Sequence, residues 1–371
     1  FHMGKIKFKN LSPALRKHII TPENKFKSGT LTSHIKKSRT PVSTFAERTL
    51  NHCNGGSTMQ AALWLKEHLA HGGKLVVTIA GALSSFQVGV MLAELIRQNK
   101  VHLISATGAN HEESYYRYVA HSHYAYIPRY TELTPDQEAE LRDAGLRRIT
   151  DTFLPEDESV RIMEPHLLKM WQAAQKKGQS FFPHEYFRRL FAEKLIKPDP
   201  QANPDDCWTY AAFQKNVPIV IPGFEDSTMG NIFASYTYAG KHRAKQDKKV
   251  VLDPKIMKTG LEYFTWLYDW YMEASKKSPI AFLQLGGGIA ADFPICVVPS
   301  LKHDLQLHDR VRDWAGFIEI GSSPMSYGSY SGAGGKEKIT WDKLSTKSYY
   351  QIIQSDVTVA FPWIAAVLLG L

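Results

Sequence analysis

The chain has 371 residues, of which 43% are hydrophobic and 22% charged, proportions that exclude a disordered tract, a collagen-like repeat or a disulfide scaffold. Its net charge is +9, yet residues 1–46 carry ten lysines and arginines against one acid, Glu23, and so account for the whole excess. The remaining body is neutral, which argues against a nucleic-acid-binding domain; the basic segment reads as a solvated or subunit-packing N-terminal arm, with contact to nucleic acid or an acidic partner as its sharper reading.

Along the chain one pattern recurs: a short apolar run, a break of small residues, then a helix-length stretch. Residues 74–80 (KLVVTIA) lie between Gly72-Gly73 and Gly81 and read as a buried strand. Ser84 and Ser85 are candidate caps for a helix on which Val88, Met91, Leu92, Leu95 and Ile96 keep helical spacing. A second run, 101–106 (VHLISA), ends in Thr107-Gly108-Ala109-Asn110, so that strand, helix and strand make a right-handed parallel βαβ unit. Residues 111–215 hold charged helical stretches such as 135–147 and read as an elaboration on the domain. The runs 217–221 (VPIVI), 280–285 (IAFLQL) and 315–320 (AGFIEI) repeat the theme, separated by helix-length segments such as the aromatic 261–275. Strands with almost no polar alternation are covered on both faces. The expectation is a single large α/β domain over residues 47–371, a Rossmann-like, doubly wound, mostly parallel sheet, preceded by the basic arm 1–46.

No apolar run reaches the roughly 18 residues of a membrane helix, and nothing near the start resembles a signal peptide; Phe1-His2-Met3 reads as a cloning remnant ahead of a native Met3. Cys53, Cys207 and Cys296 are scattered and odd in number, as suits a reducing, cytoplasmic setting. Cys296 sits in an apolar run (PICVV) and reads as core rather than nucleophile. His121 and His123 are two apart and would diverge on a helix, and His111 lacks a partner motif, so no metal site is expected.

Ligands of an open parallel sheet bind beyond the carboxyl ends of its strands. Four such ends carry small residues: Gly81-Ala82, Thr107-Gly108-Ala109, Gly286-Gly287-Gly288 and Gly321-Ser322-Ser323. Small residues let the backbone approach a pyrophosphate, so a nucleotide site competes here with simple tight turns. Glu112 and Glu113 follow the second turn, either facing the ligand or merely solvated. Residues 326–344 (SYGSYSGAGGKEKITWDKL) are the most unusual segment. Read as an extended stretch, it places Glu337, Ile339, Trp341 and Lys343 on one side. A lysine beside an indole and a carboxylate suits amine chemistry, against the bland reading of a surface strand with an ordinary Lys–Glu pair.

From about residue 72 onward, the segments ATGANHEES at 106–114, FEDSTMGN at 224–231, LGGGIAADFP at 285–294, 326–344, and SDVTVAFP at 355–362 together make a sequence that resembles the deoxyhypusine synthase family. The resemblance implies an NAD-dependent transferase, assembled as a homotetramer with sites at subunit interfaces. Such an enzyme oxidises spermidine, parks its aminobutyl group as an imine on a lysine and passes it to an acceptor amine. By resemblance, Lys343 is the imine-forming lysine, and Glu337 and Trp341 contact the polyamine. The implied cofactor positions are Ala82, Thr107, Gly108, Glu112, Asp226, Gly287, Gly288, Ser322, Ser323, Gly328, Ser329 and Asp356. Departures fall around the substrate: Asp292 replaces a histidine of the GGG-x-x-K-H-H pattern, and Tyr330 and Asn231 replace acids. The pattern is similar to the bacterial deoxyhypusine-synthase-like branch, whose hosts lack the hypusine-bearing translation factor. It therefore points to an aminoalkyl transferase of polyamine metabolism with a small amine acceptor, such as putrescine or agmatine. A true deoxyhypusine synthase acting on a protein lysine and a non-catalytic NAD-binding relative are the alternatives.

Overall fold

The computed structural model describes residues 11–19, 41–242, 250–328 and 332–371. Six parallel strands form the central sheet: β1 (Lys74–Ile79), β2 (Leu103–Ala106), β6 (Ile219–Val220), β7 (Ile280–Leu285), β8 (Gly316–Gly321) and β9 (Tyr349–Gln354). Their order is β6-β2-β1-β7-β8-β9. Counted along the chain this is the 3-2-1-4-5-6 order of the doubly wound dinucleotide-binding sheet. From β1 the chain moves outward to β2 and β6, then returns to β7 and moves outward the other way. Right-handed crossovers in opposite directions place helices on opposite faces, which is why the Val- and Ile-rich strands are apolar on both sides. β1 is buried from Leu75 to Ile79 and β7 along its whole length.

The helix Val357–Leu369, the most apolar stretch of the chain, packs on the helices Cys53–Ala70 and Gly89–Arg97. The helix Gly260–Lys277 is fixed at its start by a Thr259–Glu262 capping box and buries Tyr263, Leu267 and Tyr271. Among the described residues no helix is long and apolar enough to cross a membrane.

Between β2 and β6 the chain departs from the plain pattern. β3 (Ala125–Tyr126), β4 (Leu146–Ile149) and β5 (Thr152–Pro155) form a small antiparallel sheet ordered β3-β5-β4. The stretch 135–147, expected to be helical throughout, is helical only over Pro135–Asp143 and turns into β4. Gly145, at φ +83°, makes the reversal. The small sheet has its own core of Ala125, Ile127, Leu141, Leu146 and Phe153, and Leu11 and Leu15 from the basic segment complete it. Leu11 and Leu15 of the basic segment are thus packed, while Pro13, Ala14, Arg16 and Lys17 between and beyond them stay exposed.

Candidate active site

The strand ends are brought to one line by register. Ile79 of β1 lies beside Ala106 of β2 and Leu285 of β7. Leu285 lies beside Ile320 of β8, and Gly321 beside Gln354 of β9. The turns bearing Ala82, Thr107, Gly108, Gly287, Gly288, Ser322, Ser323 and Asp356 therefore emerge along a single edge. Its centre is the β1–β7 junction, where the strand order reverses and the flanking chain runs off to opposite faces, leaving a crevice. Gly81 and Gly288 have φ of +60° and +105°, and a Cβ at either would meet nothing within 4 Å. Open space beside glycine backbone at the switch point is what a dinucleotide requires, so these residues fit NAD.

The turns are stitched together by a residue that carried no signal in the sequence. Asn110, wholly buried, donates through Nδ2 to the carbonyls of Ala80 and Gly81 at 2.8 and 2.7 Å and accepts the Ser84 N–H at 2.8 Å. Thr107 caps the helix Gly108–Ala120 by accepting the Asn110 N–H, and its hydroxyl donates to the Gly81 carbonyl at 2.9 Å. One amide and one hydroxyl thus lock the ends of β1 and β2. Ser84 and Ser85 do not cap the next helix, which starts at Gly89 without a side-chain cap. Ser84 Oγ instead accepts from Trp208 Nε1 at 2.9 Å. Gly108 is small for packing: a Cβ there would stand 2.6 Å from Ser227 Cβ.

Glu112 and Glu113 are both buried, so neither is a solvated surface acid. Glu112 accepts the backbone N–H groups of Thr228 and Met229 at 2.9 and 2.8 Å, holding the start of the helix Thr228–His242. Burial raises its pKa to about 7 against the pull of those bonds. Glu113 accepts the Ser85 N–H, and burial plus the neighbouring Glu112 raise its pKa to about 8. Arg117, one turn on, donates to the Ser85 carbonyl at 2.6 Å and lies 3.7 Å from the Tyr124 ring centroid. These groups edge two openings. A cavity of about 1040 Å³ is lined by Ser85, Gln87, Arg117, Tyr124, Asp151 and Asp356. Another of about 680 Å³ brings Glu112, Asp226 and Asn231 together with Arg147, Glu156 and Arg161. Asp356 caps the last helix by accepting the Thr358 N–H at 2.7 Å. Asn231 spends its amide on the carbonyls of Glu225 and Ser227.

The 326–344 segment is not extended as expected. Gly334 and Gly335 turn into a single helical turn, Glu337–Thr340, so the period is helical and a different side chain points inward. Lys338 is buried, whereas Glu337 and Trp341 are exposed, Trp341 at 64%. The sequence assigned no role to Lys338. Lys343, partly buried, follows the turn, its N–H bonded to the Lys338 carbonyl at 3.0 Å. Asp292, on the helix Ile289–Ile295 just past Gly288, is within electrostatic reach of both lysines, Lys343 the stronger partner. Burial raises the Asp292 pKa and the lysines oppose it. Tyr330 and Ser329 lie outside the described residues, and Gly328 is an exposed residue of the preceding loop. Cys296 is partly buried against the core. His111 is enclosed by Tyr115, Phe187 and Trp208, which leaves it in the core, apart from the other histidines singled out in the sequence.

The family model described as deoxyhypusine synthase matches residues 49–368. The chain belongs to the deoxyhypusine synthase family. Deoxyhypusine synthase-like proteins of Chlorobaculum parvum and Chlorobaculum tepidum are each 25% identical to it, over 78% of this chain and 75% of theirs. That of Elusimicrobium minutum is 24% identical, over 80% of this chain and 71% of its own. The deoxyhypusine synthase family is one of aminobutyl transferases, so membership makes this chain a transferase-family protein. The matched span contains every element of the central sheet, the helix that bears Asp292 and the loop that bears Lys343.

Proposed function

We propose that the chain is an NAD-dependent aminoalkyl transferase acting on polyamines through an imine on Lys343, with a small amine as acceptor. The observation that carries this reading is that Lys343 lies within electrostatic reach of Asp292, on the helix that leaves the Gly286–Gly288 turn. Ala82, Thr107, Gly287, Gly288, Ser322, Ser323 and Asp356 would line NAD along the strand-end edge, and Asn110 would keep that edge rigid. When bound, NAD supplies the hydride acceptor that turns a secondary amine into an electrophile. The neutral Lys343 nitrogen would form a bond to the activated carbon as the bond to the departing amine breaks and the lysine's proton leaves with that amine. The acceptor amine would release Lys343 by the reverse exchange, and return of the hydride to the new imine makes the overall transfer redox-neutral. Asp292 and Glu337 supply negative charge for the ammonium groups of the substrate, and the indole face of Trp341 suits a cation. Because Glu337 and Trp341 are exposed in one chain, we place a second copy over them, in a homotetramer.

Incubation with NAD and a polyamine panel, followed by mass spectrometry of products and borohydride trapping, tests the reading. An alkylamine adduct on Lys343 with a small-amine product supports it. An adduct with transfer only to a protein lysine makes the chain a deoxyhypusine synthase, and NAD binding with no adduct makes it a non-catalytic relative. Light scattering that gives a monomer would remove the tetramer.

A further inference from the structure

At the amino ends of the strands, opposite the edge that carries the glycine turns, lies a cavity of about 600 Å³. It is lined by Lys74 at the start of β1, Lys100 and His102 ahead of β2, Ser278 ahead of β7, Asn99, and Lys66 on the helix Cys53–Ala70. Among the described residues no aspartate or glutamate lines it. Strand pairing gathers this set: the Lys74 N–H donates to the Pro279 carbonyl at 2.8 Å and the His102 N–H to the Leu75 carbonyl at 2.9 Å. The ammonium groups of Lys66, Lys74 and Lys100 form no ion pair and donate no hydrogen bond among the described residues. Three helices end here, at Ala70, Arg97 and Leu369, followed by Gly72, Asn99 and Gly370 at φ of +79°, +57° and +70°. A helix end carries about half a negative charge, so together these ends answer roughly one and a half of the lysine charges. Leu371 is buried and outside the lining, its carbonyl accepting the Ser43 N–H. A positive surplus remains in a concave site.

His102 adds a directed donor. Burial first, then Lys74 and His68, push its pKa down to about 4, so the ring is neutral. Its Nδ1 accepts the Leu75 N–H at 3.1 Å, which leaves the ring proton on Nε2. That N–H has no partner among the described residues. A Cβ at Gly72 or Gly370, both on the lining, would meet nothing within 4 Å, so the backbone also leaves room. We propose that this cavity binds a small phosphate-bearing molecule, with Lys66, Lys74 and Lys100 holding its charge and the His102 Nε2–H donating to a phosphate oxygen. Lysine serves phosphate as a point charge, and the volume suits a small ligand. The apolar helix end at 367–369 completes the wall and favours a molecule with an organic part over a nucleic-acid backbone. The six residues of β1, about 17 Å, separate this site from the strand-end edge, so it stands independently of the transferase reading.

The test is a calorimetric titration of the full chain with inorganic pyrophosphate at constant ionic strength, paired with lysine acetylation read by peptide mass spectrometry. Saturable binding should protect Lys66, Lys74 and Lys100 and leave the exposed Lys176 and Lys177 unprotected. Lys74→Gln and Lys100→Gln should each weaken binding by about tenfold. His102→Asn keeps an acceptor for the Leu75 N–H but loses the Nε2 donor, and should weaken it by about fivefold. Absence of binding overturns the site, as does an affinity unchanged in both lysine variants, which would place the anion elsewhere on the chain. Equal protection of Lys176 and Lys177 would mark loose condensation of an anion on lysines and overturn it too. Citrate at the same ionic strength separates phosphate from carboxylate: weaker binding of citrate supports the phosphate assignment, and equal or tighter binding overturns it.

Discussion

The strand-end edge and the 332–344 loop are built in opposite ways. The edge is set by long-range order: five strands meet it in register, and Asn110 and Thr107 tie two of the turns. The loop is set mainly by short-range order, with one helical turn and backbone bonds spanning three to six residues, and one long-range bond, from the Trp314 N–H to the Lys343 carbonyl at 3.3 Å, ties it to the start of β8. The edge offers neutral backbone and small residues. The loop, with the neighbouring helix and strand, offers Asp292, Glu319, Glu337, Lys338 and Lys343. Binding a large cofactor needs many aligned atoms, which a sheet supplies. Tuning one amine needs a few charges at close range, which a short loop supplies.

Substitutions should separate the two regions. The largest effect belongs to the loop: Lys343→Arg keeps a cation but cannot form an imine, so transfer should fall by about a thousandfold or more. NAD affinity, measured by titration, should stay within about twofold if the edge binds cofactor independently. Equal loss of both would show that the two regions are one unit.

At the edge, Asn110→Ala removes the bonds to Ala80, Gly81 and Ser84 and leaves buried backbone groups unsatisfied. A cost of about 2–4 kcal/mol is expected in urea unfolding, with weaker NAD binding, while isolated Lys343 chemistry is spared. Gly108→Ala tests close packing against Ser227, with an expected cost of about 1–3 kcal/mol. A neutral result would mean that the 224–227 turn yields.

The remaining effect is a pH dependence. Glu112 and Glu113 have folded pKa values raised from 4.5 to about 7 and about 8. Between those values and 4.5 the folded state holds more protons than the unfolded one, so these two groups make stability fall as pH rises through that window. Urea midpoints across the window should decline, and Glu113→Gln should flatten the decline. An unchanged slope would assign it to other groups.

Much of the edge was legible in the sequence because apolar runs followed by glycine turns are local signals of buried parallel strands. β9 was not, since Tyr349–Gln354 (YYQIIQ) is partly exposed and mixes polar with apolar residues. The small sheet was not legible either: LRRI and TFLP are short, and one continues a helical charge pattern. Asn110 gave no signal because its partners come from the end of another strand. Lys338 read as one more polar residue because the extended period assigned to its segment turned it outward.

By itself the sequence determined the class of fold, the strand ends that carry small residues, and the membership visible in the motifs from residue 72 onward. These depend on the order of residue types along the chain. The tertiary structure alone decided which turns share a line, that Glu112 holds a helix start rather than facing solvent, and that Lys338 faces inward beside Lys343 and Asp292. Those outcomes depend on register and on the competition between burial and charge, which arise only when distant segments meet.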